Sequence, residues 1–269
     1  RRSVPASSGF QDSTPYGNIG GVLNRGLDLS LEYNKAISRD LIISVQGSLT
    51  YAHNEVTFRD EPNNKPAYMR HKGKPVNAIE GLVAAGLFRD QADIDSWPTQ
   101  DFGGTVMPGD IKYLDLNGDR KIDGNDVTML GYPTVPEIIY GLGASIQYKN
   151  FDFSFFFQGV DHVSLEMQDH RPFVSKEANP DPNAAYPRLS HVWNENNTQA
   201  SSFWIRNGAY LRLKSAEVGY TYRSFRFYVA GSNLFTISKF KLWDPELGSG
   251  NGLKYPLQRV VKLGLQYNF

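Results

Sequence analysis

A strict two-residue alternation over residues 259–269 constrains the fold more than any other feature of the sequence. Apolar and aromatic residues fill every second position, and polar or small residues fill the positions between them. Successive side chains of a β-strand point to opposite faces, so this pattern predicts a strand with one apolar and one polar face. The apolar set consists of Val261, Leu263, Leu265, Tyr267 and Phe269.

The same alternation recurs in three pairs of segments, each joined by a short polar turn. The turns lie at residues 38–40, at Lys149 and Asn150, and at Arg223 and Ser224. Two amphipathic strands joined by a tight turn are typical of a β-hairpin. In the fifth segment the apolar positions change parity near Ser215, which predicts a β-bulge. With the last strand this makes seven predicted strands, the first six at about 27–34, 43–51, 140–148, 151–158, 209–222 and 225–233.

The fourth segment carries phenylalanine at four alternate positions of one face. The opposite face carries Asp152, Ser154 and Gln158, with Phe156 as its single aromatic exception. An all-phenylalanine face fits either the core of a β-sandwich or a band in contact with lipid. The polar opposite face favours lipid, because such residues suit a water-filled barrel lumen. The four phenylalanines are Phe151, Phe153, Phe155 and Phe157.

Short and long connections alternate strictly along the chain. Three irregular stretches, 59–136, 159–208 and 234–258, separate the tight turns. This alternation of short and long connections is typical of outer-membrane barrels, which have short periplasmic turns and long outer loops. The smallest bacterial single-chain barrels have about eight strands, so we predict that residues 1–269 are the C-terminal part of a larger antiparallel transmembrane β-barrel. The first residues lack the apolar core of a secretory signal, and no apolar run is long enough for a transmembrane helix.

Composition narrows the function classes. The 28 basic and 28 acidic residues balance, so no net charge favours nucleic acid as a partner. The absence of cysteine excludes disulfides and thiolate chemistry. No G-x-S-x-G motif occurs, and no carboxylate pair stands out, so the sequence predicts no enzyme; an outer-membrane hydrolase is the minor alternative. The histidines are scattered without metal-ligand spacing, at His53, His71, His162, His170 and His191.

One acidic segment inside the first long connection has the spacing of a calcium loop. Calcium takes oxygen ligands at positions 1, 3, 5, 7, 9 and 12 of a twelve-residue loop, position 7 through its backbone carbonyl. Ile122 provides the apolar anchor at position 8, but Arg120 replaces the usual glycine and an aspartate replaces the usual final glutamate. The alternative is a solvated turn. The predicted ligands are Asp115, Asn117, Asp119, Lys121, Asp123 and Asp126.

Several motifs together are similar to SusC/RagA-like TonB-dependent outer-membrane transporters of Bacteroidetes. The similarity covers most of residues 17–269 and is carried by 109–126, 131–133, 140–159, 209–220, 233–236 and 244–246. The end of the chain also resembles the signal by which outer-membrane barrels are recognised for assembly. The residues that carry this second resemblance are Lys262, Gly264, Tyr267 and Phe269.

The resemblance implies the fold and the function of a much longer protein. It implies a barrel of about 22 strands in the bacterial outer membrane, with a plug domain and a TonB-contacting segment outside this chain. Such a protein imports oligosaccharides or oligopeptides, takes energy from TonB, and works with a SusD-like surface lipoprotein. The alternative from the residues alone is a secreted calcium-binding β-sandwich that acts as a carbohydrate-binding module. Four tryptophans of the long loops are candidates for stacking on sugars or side chains, with an interface belt or loop packing as the alternative: Trp97, Trp193, Trp204 and Trp243.

Overall fold

The computed structural model describes residues 16–167, 186–188 and 194–269. The described part is dominated by β-strands, and its α-helix is a single short segment, α1 (Gln91–Ser96). In chain order the strands are β1 (Gly20–Ser38), β2 (Leu41–Arg59), β3 (Ile79–Gly81), β4 (Ala84–Leu87), β5 (Thr99–Gln100), β6 (Ile111–Tyr113), β7 (Lys121–Ile122), β8 (Thr128–Leu130), β9 (Ile138–Tyr148), β10 (Phe151–Asp161), β11 (Ser164–Glu166), β12 (Ile205–Asn207), β13 (Tyr210–Tyr222), β14 (Phe225–Ser238) and β15 (Val260–Tyr267).

Seven strands form one large sheet, in the order β1-β2-β9-β10-β13-β14-β15. From β2 to β15 each strand pairs antiparallel with its neighbour. The seven predicted strands are therefore confirmed, and neighbours in the sheet are also neighbours among the long strands of the sequence. Three of the pairs are the predicted hairpins, and the other three are joined by the long connections.

The first two strands are longer than their apolar pattern predicts. Each has 19 residues, which at about 3.3 Å per residue is about 60 Å, roughly twice the thickness of a bilayer's hydrocarbon core. Alternation marks only the part of a strand that has one apolar environment, whereas the backbone ladder continues through polar residues. Strand β14 also continues past its predicted end, to Ser238, so that residues 234–238 of the predicted third loop are strand. Asn233, with a φ of 52°, interrupts the alternation there.

The predicted bulge near Ser215 is present. Phe156 of β10 pairs with Ser215, but the next residue, Phe157, pairs with Leu213, so Lys214 is the extra residue on β13. Side chains on both sides of the extra residue therefore keep the same orientation, and Leu213 and Ala216 point to the face that carries Phe157.

The first long connection contains small sheets. Strand β3 pairs with β8, β4 with β6, and β5 with β7. The N-cap of α1 is Asp90, whose carboxylate accepts a hydrogen bond from the Asp93 N–H at 2.8 Å. Within the described residues, no helix has the length and apolarity needed to cross a membrane.

The described residues divide into two compact units. The loop unit comprises 16–25, 53–131, 186–188 and 194–203, and the sheet unit comprises 26–52, 132–167 and 204–269. The loop unit has its own core, in which Ile111, Tyr113 and Ile122 are fully buried. The sheet unit has a smaller cluster of buried residues, Val160, Val163 and Tyr210.

Candidate functional site

One face of the large sheet is apolar and exposed over all seven strands. Leu263 on β15 is 83% exposed and Phe151 on β10 is 57% exposed. A contiguous apolar surface of this extent indicates contact with another apolar phase or partner, because soluble proteins seldom expose one to water. We call it the apolar face; it includes Leu27, Leu29, Leu31, Tyr33, Leu142, Ile146, Phe153, Val218, Phe227, Val229, Val261 and Leu265.

Aromatic residues are concentrated where the sheet meets its tight turns. Tyr267 of β15 lies 4.9 Å from Phe225 between ring centroids, and Phe269 lies 5.1 Å from Tyr267. A ring of aromatics at one edge of an apolar band is typical of the membrane–water interface of outer-membrane barrels. Two of the predicted assembly residues, Tyr267 and Phe269, belong to this aromatic girdle. Its other members flank the turns: Tyr148 and Phe151, Tyr222 and Phe225.

The opposite face of the sheet is polar and carries a triad of charges. The Arg226 guanidinium donates to Asp152, with Nε 3.0 Å from Oδ1, and also donates to Glu217. The three residues lie on β14, β10 and β13, so the triad links three adjacent strands. Gly219 makes room for it, since a Cβ there would lie 2.5 Å from the Asp152 carboxylate. The pairing of these charges was not predicted, because alternation gives the face of a residue but not its neighbour across strands.

A second charged cluster ties the third long connection to β13. Arg212 is only 2% exposed; it donates to Asp244, and its Nε lies 3.3 Å from Glu246. Lys214 completes the cluster, with its Nζ 2.5 Å from the Glu246 carboxylate. Asp244 also accepts a hydrogen bond from the Glu246 N–H, which caps a short 3₁₀ turn at Pro245–Leu247. The Asp-Pro-Glu motif thus anchors its loop through a buried arginine.

The predicted calcium loop has an ordered backbone held by its own acidic side chains. The Asp115 carboxylate accepts from the Gly118 and Arg120 N–H groups, at 2.7 and 2.8 Å. Arg120 has a φ of 67°, so it adopts the left-handed conformation that glycine usually provides at this position. Fully buried Asp126 accepts from the N–H groups of Leu116 and Asp123.

The loop's side chains are engaged with its backbone rather than gathered around a common centre. Across the described residues, no three His, Asp or Glu side chains are placed together so as to hold a metal ion. The carboxylates still create a negative field: burial first, and then the charges of Asp126 and Asp115, raise the pKa of Tyr68, which donates to the Asn125 carbonyl. To hold an ion, the carboxylates would have to turn from the backbone towards a common centre. The calcium site stays a prediction.

A buried polar network in the loop unit was not predicted from the sequence. Asp110 is fully buried and accepts hydrogen bonds from Arg188 Nε at 3.0 Å, Asn194 Nδ2 at 3.0 Å and Asn197 Nδ2 at 2.9 Å. Its partners are about 80 residues away in sequence, so no local pattern could have shown them. The network joins two separate stretches of chain and leaves no exposed atom of Asp110 for a ligand.

Two histidines lie beside carboxylates. His71 lies between Glu61 and Glu80, 2.7 Å from the first and 2.5 Å from the second. Burial alone would raise the pKa of Glu61, but hydrogen bonds from Lys65 and His71 lower it to about 2. His162 stacks on Tyr132 at 4.4 Å. His170 and His191 lie outside the described residues.

The described tryptophans pack within loops. Trp97 donates to the Tyr113 carbonyl at 2.7 Å and lies under the Lys112 ammonium, 3.7 Å from its ring centroid. Trp243 donates to the Gly248 carbonyl and packs against Phe240, and Trp204 is buried. These contacts agree with loop packing rather than with open platforms for substrate. Trp193 lies outside the described residues.

Known proteins match the chain over almost its whole length. It is 30% identical to the TonB-dependent receptor P26 of Formosa agariphila, and the match covers 99% of the chain and 31% of that protein. It is 25% identical to the TonB-dependent receptor SusC of Bacteroides thetaiotaomicron, with 99% and 28% covered. No protein-family model matches. The chain thus spans about a third of the length of these relatives.

The solved structures agree. The RagAB peptide transporter superposes with a TM-score of 0.69 at 19% identity, covering 99% of this chain and 31% of that one. A closed state of the RagAB peptide importer gives a TM-score of 0.65.

The chain is similar to part of the TonB-dependent receptors over almost its whole length, and its seven-stranded sheet has the fold of the matching part of the RagAB structures. Within that class the resemblance to SusC-like and RagA-like transporters, drawn from the sequence motifs, is confirmed.

Proposed function

We propose that this chain is the C-terminal part of an outer-membrane β-barrel that imports oligosaccharides or oligopeptides. TonB would supply the energy through parts of the protein outside this chain, and a SusD-like surface lipoprotein would cover the outer loops. The bacterial outer membrane is the proposed location. The observation that carries the proposal is a single sheet with one exposed apolar face, one polar face and an aromatic girdle at its tight turns.

The polar face suits a water-filled path. Its charges include a triad that is paired across strands, Asp152, Glu217 and Arg226. The apolar face suits a lipid environment, since every strand of the sheet exposes large apolar side chains there. This division of faces is what import through a membrane barrel requires.

The secreted β-sandwich fits the structure less well. A sandwich needs two large sheets packed face to face, whereas the described strands form one large sheet and four two-stranded ones. We also propose that the chain has no enzymatic role. The named relatives are receptors and transporters, and the sequence contains no catalytic constellation.

Import is tested by deleting the whole gene and measuring growth on a panel of purified glycans and peptide mixtures as sole nutrients. We expect growth to fail on one nutrient class and to return with the wild-type gene. Radiolabelled uptake by the complemented strain separates import from later metabolism. Unchanged growth and uptake on every nutrient of the panel would contradict the proposal.

We further propose that the loop from Asp115 to Asp126 binds calcium in an outer loop, where it would stiffen the first long connection. Its support is the ligand spacing together with the left-handed Arg120. Calorimetry on the full-length protein at about 1 mM calcium should show binding that is lost when Asp115 and Asp119 are both changed to Asn. Asp95→Asn, on α1, is the matched control. Equal heats of calcium binding for the wild type and the double variant would show that this loop does not bind calcium.

A further inference from the structure

The apolar face of the sheet contains a groove of about 190 Å³ across β13, β14 and β15. Two small residues, Ala216 and Gly231, stand opposite each other in its lining, on neighbouring strands. This volume is about that of six water molecules at about 30 Å³ each, which also suits the last five or six carbons of an acyl chain. The larger apolar residues of the lining are Val218, Val229, Leu234 and Val261.

The groove is a depression between larger side chains of the apolar face. Phe155 pairs with Ala216 on one side, and Val261 pairs with Gly231 on the other. A Cβ on Gly231 would lie 2.5 Å from the Leu234 side chain, so a larger residue at position 231 would displace it. The groove therefore exists because two adjacent strands both carry a small residue at this level, and it suits a slender apolar group.

Strand geometry places the groove near the middle of the proposed membrane. A strand tilted by about 40° advances about 2.5 Å per residue along the membrane normal. Gly231 lies six residues beyond Phe225 of the aromatic girdle, or about 15 Å along the normal, which is half of a hydrocarbon core of about 30 Å. Ile237, six residues further along β14 and 60% exposed, then lies at the opposite boundary of the core.

Basic residues begin where β14 passes this opposite boundary. Lys239 and Lys241 follow the end of the strand, and both are exposed, whereas Phe240 between them is buried. The carboxylates of the Asp-Pro-Glu motif in the same connection are engaged by the charged cluster around Arg212. Neither lysine has a carboxylate partner among the described residues. Two unpaired ammonium groups therefore lie at the level of lipid phosphates.

The connection between β14 and β15 also exposes large apolar side chains. Leu253 is 85% exposed and Tyr255 is 78% exposed, and the exposed Arg259 directly precedes β15. At a membrane–water interface, aliphatic and aromatic groups enter the lipid while cations reach the phosphates. The composition of this connection fits the headgroup region of an anionic leaflet better than it fits water.

We propose that the groove, with Lys239 and Lys241, binds one phosphorylated glycolipid of the outer leaflet. Its phosphate would contact the two lysines, and the end of one acyl chain would fill the groove. Lys239 is eight residues beyond Gly231, or about 20 Å along the normal, which equals half of the hydrocarbon core plus one headgroup region. The outer leaflet is the source because the girdle lies beside the tight turns, which are periplasmic in outer-membrane barrels. The inference rests on the proposed membrane location and goes beyond import, since this lipid is not transported.

The test uses the full-length protein, purified in detergent, freed of lipid and titrated with bisphosphorylated lipid A, with native mass spectrometry to count the bound lipid. We expect Lys239→Gln with Lys241→Gln to weaken binding about 30-fold, or about 2 kcal/mol, because two phosphate contacts are lost. Lys72→Gln with Lys74→Gln is the matched control. It removes two exposed lysines of the same spacing from the loop unit and should leave binding unchanged.

A groove variant tests the acyl contact separately. Ala216→Leu fills the groove and should weaken lipid A binding about fivefold, while heat-modifiable migration on gels stays that of the wild type. Dephosphorylated lipid A should bind the wild type as weakly as lipid A binds the double lysine variant. Lipid A binding that either variant leaves unchanged would overturn the site. Equally tight binding of phosphatidylethanolamine, or displacement of lipid A by inorganic phosphate alone, would overturn the assignment to a glycolipid.

Uptake and membrane extraction keep this proposal apart from the proposed function. If the gene restores uptake while lipid A binds the wild type and the double lysine variant equally, import stands and the lipid site fails. If deletion of the gene changes no uptake and alkaline carbonate releases the protein from membranes, the proposed function itself fails.

Discussion

At the scale of single residues, Arg226 decides the electrostatics of the polar face near the tight turns. Its guanidinium holds two carboxylates, Asp152 and Glu217, that would otherwise repel each other across neighbouring strands. The planar fork of arginine reaches both at once, which a lysine ammonium cannot do with the same geometry. The triad is therefore a cross-strand clamp as well as a neutralised group of charges.

Removing the guanidinium should loosen this part of the sheet. We expect Arg226→Met to lower the free energy of unfolding by about 1–2 kcal/mol. This value lies between those typical of exposed and of buried ion pairs, because all three side chains are partly exposed. Arg226→Lys should cost less. The measurement is the temperature at which the full-length protein loses its heat-modifiable gel band, and Arg223→Met in the adjacent turn is the control. An equal temperature for Arg226→Met and the control would show that the triad contributes no stability.

Glu61 makes the stability of the loop unit depend on pH. Its pKa of about 2 in the folded protein lies below the ordinary 4.5, so the unfolded chain takes up a proton more readily than the folded one. The stabilisation, at most about 3 kcal/mol, is complete above pH 4.5 and is lost as the pH falls towards 2. Lys65 and His71 are the groups that lose their partner.

Pepsin, which works in acid, measures this effect. In the wild type, cleavage between residues 60 and 80 should rise steeply as the pH falls from 4.5 to 2. Glu61→Gln should be cleaved readily at pH 4.5 already and should show a flatter dependence on pH. Glu195→Gln, an exposed glutamate of the same unit, should behave as the wild type. A wild-type profile for Glu61→Gln would refute the assignment.

At the scale of elements, β15 combines two roles on its two faces. Its apolar residues continue the apolar face, and Tyr267 and Phe269 extend the aromatic girdle next to Phe225. Its polar face carries Lys262 and Gly264, and the lack of a side chain at Gly264 leaves room for the ring of Tyr228. Two residues of the predicted assembly signal, Tyr267 and Phe269, therefore also make ring contacts, and the other two, Lys262 and Gly264, lie on the polar face.

Changing the girdle end of β15 should reduce assembly more than stability. We expect Tyr267→Ser with Phe269→Ser to lower the amount of full-length protein in the outer membrane several-fold, while its synthesis and export continue. The control pair is Gln266→Ser with Asn268→Ser, which changes neighbouring polar positions of the same segment. Immunoblots of outer-membrane and periplasmic fractions report the result. Normal outer-membrane levels of the aromatic double variant would exclude these residues from the signal.

At the scale of the whole molecule, the proposed barrel should behave as an integral membrane protein. The apolar face would lie in lipid, so alkaline carbonate washing, which strips peripheral proteins, should leave the protein in the membrane fraction. In detergent, the unheated protein should migrate differently on gels from the boiled one. Release by carbonate, or identical migration before and after boiling, would contradict membrane insertion.

The sequence predicted those features of the structure that depend on residues close together in the chain. Alternation, turn residues and loop rhythm are local, so the seven strands, the three hairpins and the bulge at Ser215 were all predicted correctly. The predicted strands β1 and β2 were too short, because polar residues extend a backbone ladder without any alternating signal. The prediction for β14 stopped at Asn233, whose positive φ interrupts the alternation. The small sheets of the first long connection are too short to show periodicity.

The sequence by itself determined which residues share a face of each strand, because side-chain alternation follows from backbone geometry alone. Only the tertiary structure decided which of them meet. The triad around Arg226 and the network around Asp110 both join segments that are far apart in the sequence. Their partners depend on strand order and register, which arise from the packing of the whole chain.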